Sequence, residues 1–426
     1  MIVALLVSGC ASAANTLPAE SSSTIVAGTA KTSVESMIGP SPAAVAPAVR
    51  RGRAEDFPTC VAALAEQARQ QGITSDAVVA VLDRAQWLDS VVSLDGRQPE
   101  FVTPFHEYFA RAVSTQRVQI ARARLSDHRD LFNRVSARDG VPAEILVALW
   151  GLETDFGRFL GRTDVASALA TLACEGRRER LFVDELLALM QLVERGDVTL
   201  DQTVGSWAGA MGQMQFMPSV YLGYAVDGDG SGRRDLFTSL PDAMFSASRF
   251  LASLGWNRDE AWGQEVLLTP AFDWTRLRDD ERLTRAEWAL RGVMPAGTWR
   301  FPPEARLRFV APAGHRGPIF LVGSNFDVIL GWNRSEHYAV SVGVLADQAA
   351  GRPGLRVMPP TDVPRLTREH VVRLQEQLNA NGFDAGAVDG LMGPRTRAAV
   401  RRQQAALGLI PDGQPDRMLL ARLAID

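Results

Sequence analysis

Glu153 ends an apolar run in Trp150-Gly151-Leu152-Glu153-Thr154-Asp155-Phe156-Gly157. A carboxyl group set against apolar neighbours ionises less readily, and a general acid must keep its proton near neutral pH. Periodicity alone favours a plainer alternative, a glutamate on the solvent face of a helix end. A second stretch, GSWAGAMGQMQFMPSVYLGYAVD from Gly205 to Asp227, mixes small, hydroxyl, amide and aromatic residues without a helix or strand period. Such composition fits the floor and rim of a sugar cleft: glycines admit a chain closely, Ser206 and Gln215 offer a hydroxyl and an amide, and Tyr221 offers a ring. A glycine-rich packing loop would read the same way.

A third constellation follows at once. Asp227, Asp229 and Ser231 place side-chain oxygens at positions 1, 3 and 5 of an EF-hand-like loop, Gly232 falls at 6, and the Arg233 backbone carbonyl at 7. Position 12 is Thr238 instead of glutamate, so a calcium site here needs a carboxylate from further along, for which Asp242 is the candidate, with Asp235 helping through water. A solvated Asp/Gly turn is the alternative. Metal catalysis by other ligands is disfavoured, because His106, His128, His315, His337 and His370 are dispersed and Cys10, Cys60 and Cys174 have no zinc spacing.

The elements that must carry these residues are mostly helical. FPTCVAALAEQARQQGI sets Val61, Leu64 and Ala68 on one face and stops near Gly72. A long Arg-rich helical region is expected over about 101–138. The next helix starts after Gly140 with Pro142 in its first turn, and its apolar residues cover most of the circumference, which predicts burial. Two helices are expected over 163–195 and one over 241–254, after which EVLL, LRFV and PIFLVG suggest short strands between about 256 and 320. The Pro/Gly-rich segment in 346–365 reads as a linker to a unit of its own at 366–426, where Val371, Leu374 and Leu378 make a helical stripe closed by Asn381-Gly382.

At 426 residues the chain is too long for one ordinary domain, and a formal net charge of -4 gives no footprint for nucleic acid. Residues 1–10, MIVALLVSGC, end in a lipobox-like Val7-Ser8-Gly9-Cys10, so Cys10 is a candidate for lipidation; plain cleavage near residues 11–13 is the alternative. Both readings export the protein. Residues 11–55, rich in Ala, Ser, Thr and Pro, then read as a flexible tether. In an oxidising compartment Cys60 and Cys174 are a candidate disulfide pair, which spacing alone leaves open.

ALWGLETDFGRFLG and GSWAGAMGQMQFMPS, with ALATLA at 168–173, RRERLFVDELLALM at 177–190, FLASLGW at 250–256 and NFDVILGWNRSEHYAVSV at 325–342, resemble the membrane-bound lytic transglycosylase B family in the same order. The resemblance covers roughly 90 to 345 and implies a mainly α, α+β architecture: a lysozyme-like catalytic domain at 56–345 with a small strand-containing insert. It implies Glu153 as the single acid/base, and Ser206, Gln215 and Asn333 near the cleavage point, with Tyr221 and Tyr338 as cleft aromatics. Trp332 stands where the family has tyrosine. The implied reaction cleaves the bond between N-acetylmuramic acid and N-acetylglucosamine without water, leaving a 1,6-anhydro end and needing no cofactor for the chemistry. The family also suggests the longer cation loop that would recruit Asp242, as a structural calcium site. LQ…L…GF…VDG…GP.TR.AV resembles a three-helix peptidoglycan-binding module, with Asp389, Gly390 and Arg395 as candidate contacts. The expected partner is the peptidoglycan glycan strand, and the expected state is a monomeric periplasmic protein, anchored at the outer membrane if lipidated. A hydrolytic muramidase on the same cleft and a non-catalytic wall-binding protein are the competing readings.

Overall fold

The computed structural model describes residues 52–97, 103–278 and 280–425. The expectations for the leader, Cys10 and nearly all of the tether therefore lie outside the described residues; the tether's last residues enter a 3-10 turn at Ala54–Asp56. No described helix is long and apolar enough to cross a membrane.

Helices α1 (Phe57–Gln70), α2 (Ser75–Leu82) and α3 (Asp89–Arg97) open the chain, followed by α4 (Phe105–Ala112), α5 (Thr115–Asp127) and α6 (Arg129–Asp139). The helical region expected over about 101–138 is made of three helices. Ser114 breaks it first, its side chain accepting from the Arg117 N–H as an N-cap, and His128 breaks it again between α5 and α6. Gly140, at φ 76°, closes α6.

Helix α7 (Ala143–Thr154) starts behind Pro142 and packs against α5 and α14 (Glu336–Ala349). Every residue from Ile145 to Thr154 is buried, as its all-round apolar circumference requires. Helix α8 (Val165–Glu175) packs on α9 (Glu179–Glu194), which also supports α10 (Pro218–Tyr224), and α11 (Leu240–Ser253) lies on α6 and α10. These helices share one large apolar core. The disulfide between Cys60 and Cys174 ties α1 to the end of α8 with Cα atoms 5.9 Å apart.

The insert is a five-stranded antiparallel sheet. In sequence its strands are β3 (Gly263–Leu268), β4 (Arg282–Thr284), β5 (Val293–Pro295), β6 (Arg306–Val310) and β7 (Ile319–Val322), after the two-residue pair β1 (Thr163–Asp164) and β2 (Val204–Gly205). The spatial order is β4-β6-β7-β3-β5. Short α12 (Arg285–Leu290) covers it, burying Trp288, whose indole N–H donates to the Leu307 carbonyl at 2.8 Å. Strand β7 leads directly into α13 (Ser324–Trp332), so the sheet fixes where α13 ends.

Helices α15 (Arg368–Ala380), α16 (Pro394–Ala406) and α17 (Arg417–Arg422) enclose a separate core of Leu374, Leu378, Val400 and Leu419. The preceding linker is not loose. The Arg356 and Val357 N–H groups donate to Glu265 of β3, and Arg365 pairs with Glu107. The terminal unit docks through Asp412, which accepts from the His315 backbone N–H at 2.9 Å and meets its ring Nδ1 at 2.7 Å. Asp389 and Gly390 serve the unit's own fold, both bonded to Gln375, and Arg395 pairs with Asp384.

Candidate active site

Glu153 lies in the last turn of α7 with 3% of its surface exposed. The chain stops there because Asp155 and Phe156 take left-handed conformations, at φ 51° and 61°. Such conformations are unfavourable for residues with a Cβ and need support from packing. That support is local: the Phe156 ring folds back edge-on to Trp150, with centroids 5.7 Å apart. Position 151 must be glycine for this, since a Cβ there would lie 2.7 Å from the Phe156 ring. Asp155 pairs instead with Arg158 at 3.1 Å and Arg117 at 3.7 Å.

One carboxylate oxygen of Glu153 is held twice. Trp332, the last residue of α13, donates its indole N–H to Oε1 at 3.0 Å, and Tyr338 of α14 donates its hydroxyl to the same atom at 2.5 Å. The other oxygen, Oε2, has no hydrogen-bond partner among the described residues. Burial pushes the carboxyl up to about 7, outweighing the two donors, which favour the ionised form. Glu153 is therefore poised to be protonated or ionised at neutral pH. Burial, and after it the nearby Glu153 charge, holds the phenol of Tyr108 on α4 well above the usual range.

The stretch from Gly205 to Phe216 is folded on itself, with bridges pairing Met211 to both Gly205 and Phe216. A Cβ at Gly205 would sit 2.1 Å from the Ala210 carbonyl, so the close chain approach requires glycine there. Thr154, next to Glu153, donates from its hydroxyl to the Gln213 carbonyl at 2.7 Å and fastens this loop to the end of α7. The Phe216 ring packs 5.3 Å from Trp332. Gln215, at φ 48°, donates from Nε2 to the Leu160 and Gly212 carbonyls, which leaves its Oε1 uncommitted. Asn333 follows Trp332 and accepts from the Ser335 N–H at 3.2 Å, leaving its Nδ2 uncommitted. The structure thus brings Tyr338 and Trp332 onto Glu153, with Asn333 next in sequence to Trp332 and Gln215 next to Phe216, which packs on Trp332.

Ser206 has no exposed surface, and its Oγ accepts from the Ala210 N–H at 2.9 Å, so here it shapes the loop that carries Gln215. Tyr338 is fully buried and acts through its hydroxyl, without a ring face toward the cleft. Tyr221 corrects the expectation of a cleft aromatic. Its ring is wholly buried, and its hydroxyl donates to the Arg234 carbonyl at 2.5 Å and accepts from the Leu236 N–H at 3.1 Å. Those bonds brace the acidic loop from below.

In that loop Asp227, Asp229 and Asp242 each bring a carboxylate oxygen within 4.8 Å of the others. The Ser231 N–H donates to both Asp227 and Asp229, so residues 227–231 are wound around the cluster, with Arg233 following. Asp235 is spent elsewhere, accepting from the Phe237 and Thr238 N–H groups.

Residues 56–347 match the model of the transglycosylase SLT domain, and residues 367–423 match that of the putative peptidoglycan binding domain. The chain belongs to the transglycosylase SLT family. Membrane-bound lytic murein transglycosylase B of Escherichia coli is 32% identical over 288 residues, 63% of this chain and 76% of the relative. Pseudomonas aeruginosa SltB3, solved with NAG-anhNAM-pentapeptide and with NAG-NAM-pentapeptide, is 39% identical with a TM-score of 0.82, covering 86% of this chain and 99% of its own. Escherichia coli Slt35, solved with calcium, is 28% identical with a TM-score of 0.59 over 68% of this chain and 92% of its own. The fold is the lysozyme-like one of these enzymes. In this lytic transglycosylase the buried Glu153 ends α7 and is held from α13 and α14.

Proposed function

We propose that this lytic transglycosylase uses Glu153 alone, first as acid and then as base. The observation that carries this is the half-held carboxylate: Oε1 is fixed by Trp332 and Tyr338, Oε2 is bare, and burial lifts the group to about 7. Oε2 is then the oxygen that carries the moving proton. It protonates the glycosidic oxygen between N-acetylmuramic acid and N-acetylglucosamine, and the substrate's own acetamido group steadies the developing cation. The carboxylate so formed, more stable with two donors on its partner oxygen, takes the proton of the muramyl C6 hydroxyl. That oxygen closes on C1, the proton returns to Glu153, and no water enters. Ordinary glycosidases need a second carboxylate, and Asp155 is turned away to arginines. Gln215 Oε1 and Asn333 Nδ2 are the amide groups offered to the sugars. Digestion of sacculi by Glu153→Gln tests the assignment: activity should fall by at least about 10³-fold, and retained cleavage would remove Glu153 from the role.

The acidic loop suits a hard cation. Asp227, Asp229 and Asp242 converge with oxygen donors only, and three carboxylates so close repel one another unless a cation lies between them. Calcium in the related Escherichia coli Slt35 supports the same ion here, held by these residues with Ser231 and the Arg233 carbonyl. Its effect would be to stiffen the wall that Tyr221 braces. The terminal unit supplies a second hold on peptidoglycan. Export to the periplasm, with Cys10 as a lipid anchor point, fits a substrate found there and a relative described as membrane-bound.

A further inference from the structure

Resting on the reading of this enzyme as a cutter of peptide-bearing glycan, we propose that an arginine-lined groove between the catalytic unit and the terminal module receives the carboxylates of the peptide stem. The groove has a volume of about 680 Å³, within the range of clefts that hold ligands. One wall is the segment 334–337; the facing wall is the start of α16, at Gly393, Pro394 and Arg397. The first wall is bracketed by Trp332 and Tyr338, the two donors to Glu153 Oε1. Two residues of extended chain span about 7 Å, so Arg334 begins within about that distance of Trp332. On this proposal a stem carried by a sugar over Glu153 lies along this wall, which adjoins in sequence the two residues that hold the carboxylate.

The charge of the groove selects its occupant. Six arginines line it against four acidic residues, although the whole chain carries a formal net charge of -4. Three of the acids are already satisfied: Asp327 by Arg282 and Arg308, Glu336 by Arg308, and Asp412 by His315. Arg334 is exposed and Arg397 half-buried, and among the described residues neither has an ion pair or side-chain hydrogen bond. Between them they present a guanidinium from each wall. The N-terminal end of α16, a helix of 13 residues, opens on the same space and adds positive potential. Planar guanidinium groups bind carboxylates in forked pairs, stronger than neutral hydrogen bonds. In a stem-bearing glycan the N-acetyl sugars are neutral and the muramyl carboxyl is consumed in the amide to the peptide. The carboxylates that remain are the peptide's own. The pentapeptide ligands of the SltB3 structures are of this class.

The test is calorimetric binding of NAG-NAM-pentapeptide and of the same ligand with its peptide carboxylates amidated, using the full chain. The wild type should bind the free acid at least about tenfold more tightly, as one charge-assisted pair gives. That preference should weaken in high salt, shrink in Arg334→Gln, and vanish in Arg334→Gln/Arg397→Gln. Equal binding of the two ligands by the wild type, no measurable binding of either, or an undiminished preference in the double variant would overturn the proposal. Analysis of the wild-type cleavage products separates this from a failure of the reaction assigned above, because hydrated products would sink that reading and leave the groove's preference intact.

Discussion

Replacing Glu153 with glutamine should make the protein more stable, and more so as the pH rises. The carboxyl is pushed up to about 7 in the fold from a value of 4.5 for a free side chain. A raised folded pKa means that the native state binds the proton more tightly than the unfolded chain does. The stability contributed by this group is therefore complete below about pH 4.5 and is lost as the pH rises through about 7. The gap of 4.5 to about 7 corresponds to roughly 3 kcal/mol once both states are ionised. Glutamine is neutral throughout and keeps an oxygen for Trp332 and Tyr338. In thermal melts the two proteins should coincide near pH 4.5 and diverge through neutrality. By about pH 8 the variant should melt roughly 5 °C higher, for a unit of this size. A difference independent of pH, or a variant less stable at pH 8, would refute the reasoning. The first would mean that folding leaves the carboxyl unshifted, the second that the site stabilises the ionised carboxylate, as a nucleophile's surroundings do.

Trp332→Phe and Tyr338→Phe each remove a donor to Oε1, so the acidic group should titrate higher and the falling limb of the pH–rate profile, where Glu153 loses the proton it must donate, should move to higher pH; an unmoved limb would show that the donors do not tune Glu153. Cys60→Ser, or reduction of the wild type, opens a loop spanning a sequence separation of 114 and should cost about 2–5 kcal/mol in denaturant melts, with activity surviving below the melt because the bond ties α1 to α8 away from Glu153. Millimolar calcium should raise the melting temperature of the wild type and leave Asp227→Asn/Asp229→Asn unmoved; no shift in the wild type would empty the loop of that role.

The parts of the site that the sequence made legible were those whose chemistry sits in one short stretch. Periodicity alone favoured a solvent-facing Glu153 and composition left the loop from Gly205 open to a packing role, so both were readable only because their short motifs stand in the order of a known family. Tyr108 carried no such sign, since its nearness to Glu153 depends on how α4 packs against α14. Trp332 looked like a departure from the family, yet its indole N–H donates where a phenol hydroxyl would. Tyr221 was misplaced for the opposite reason: its composition suits a sugar cleft, and only the fold of 234–236 over its hydroxyl reveals a core residue. The linker's hold on Glu265 and the docking of Asp412 on His315 were equally out of reach, because they join segments far apart in sequence.

Mass spectrometry of fragments released from purified peptidoglycan tests the central claim most directly. The account predicts muropeptides lighter by one water and resistant to borohydride reduction, as 1,6-anhydro ends are. Hydrated, reducible ends would contradict it, by showing that water and not the muramyl C6 hydroxyl reaches C1 beside Glu153.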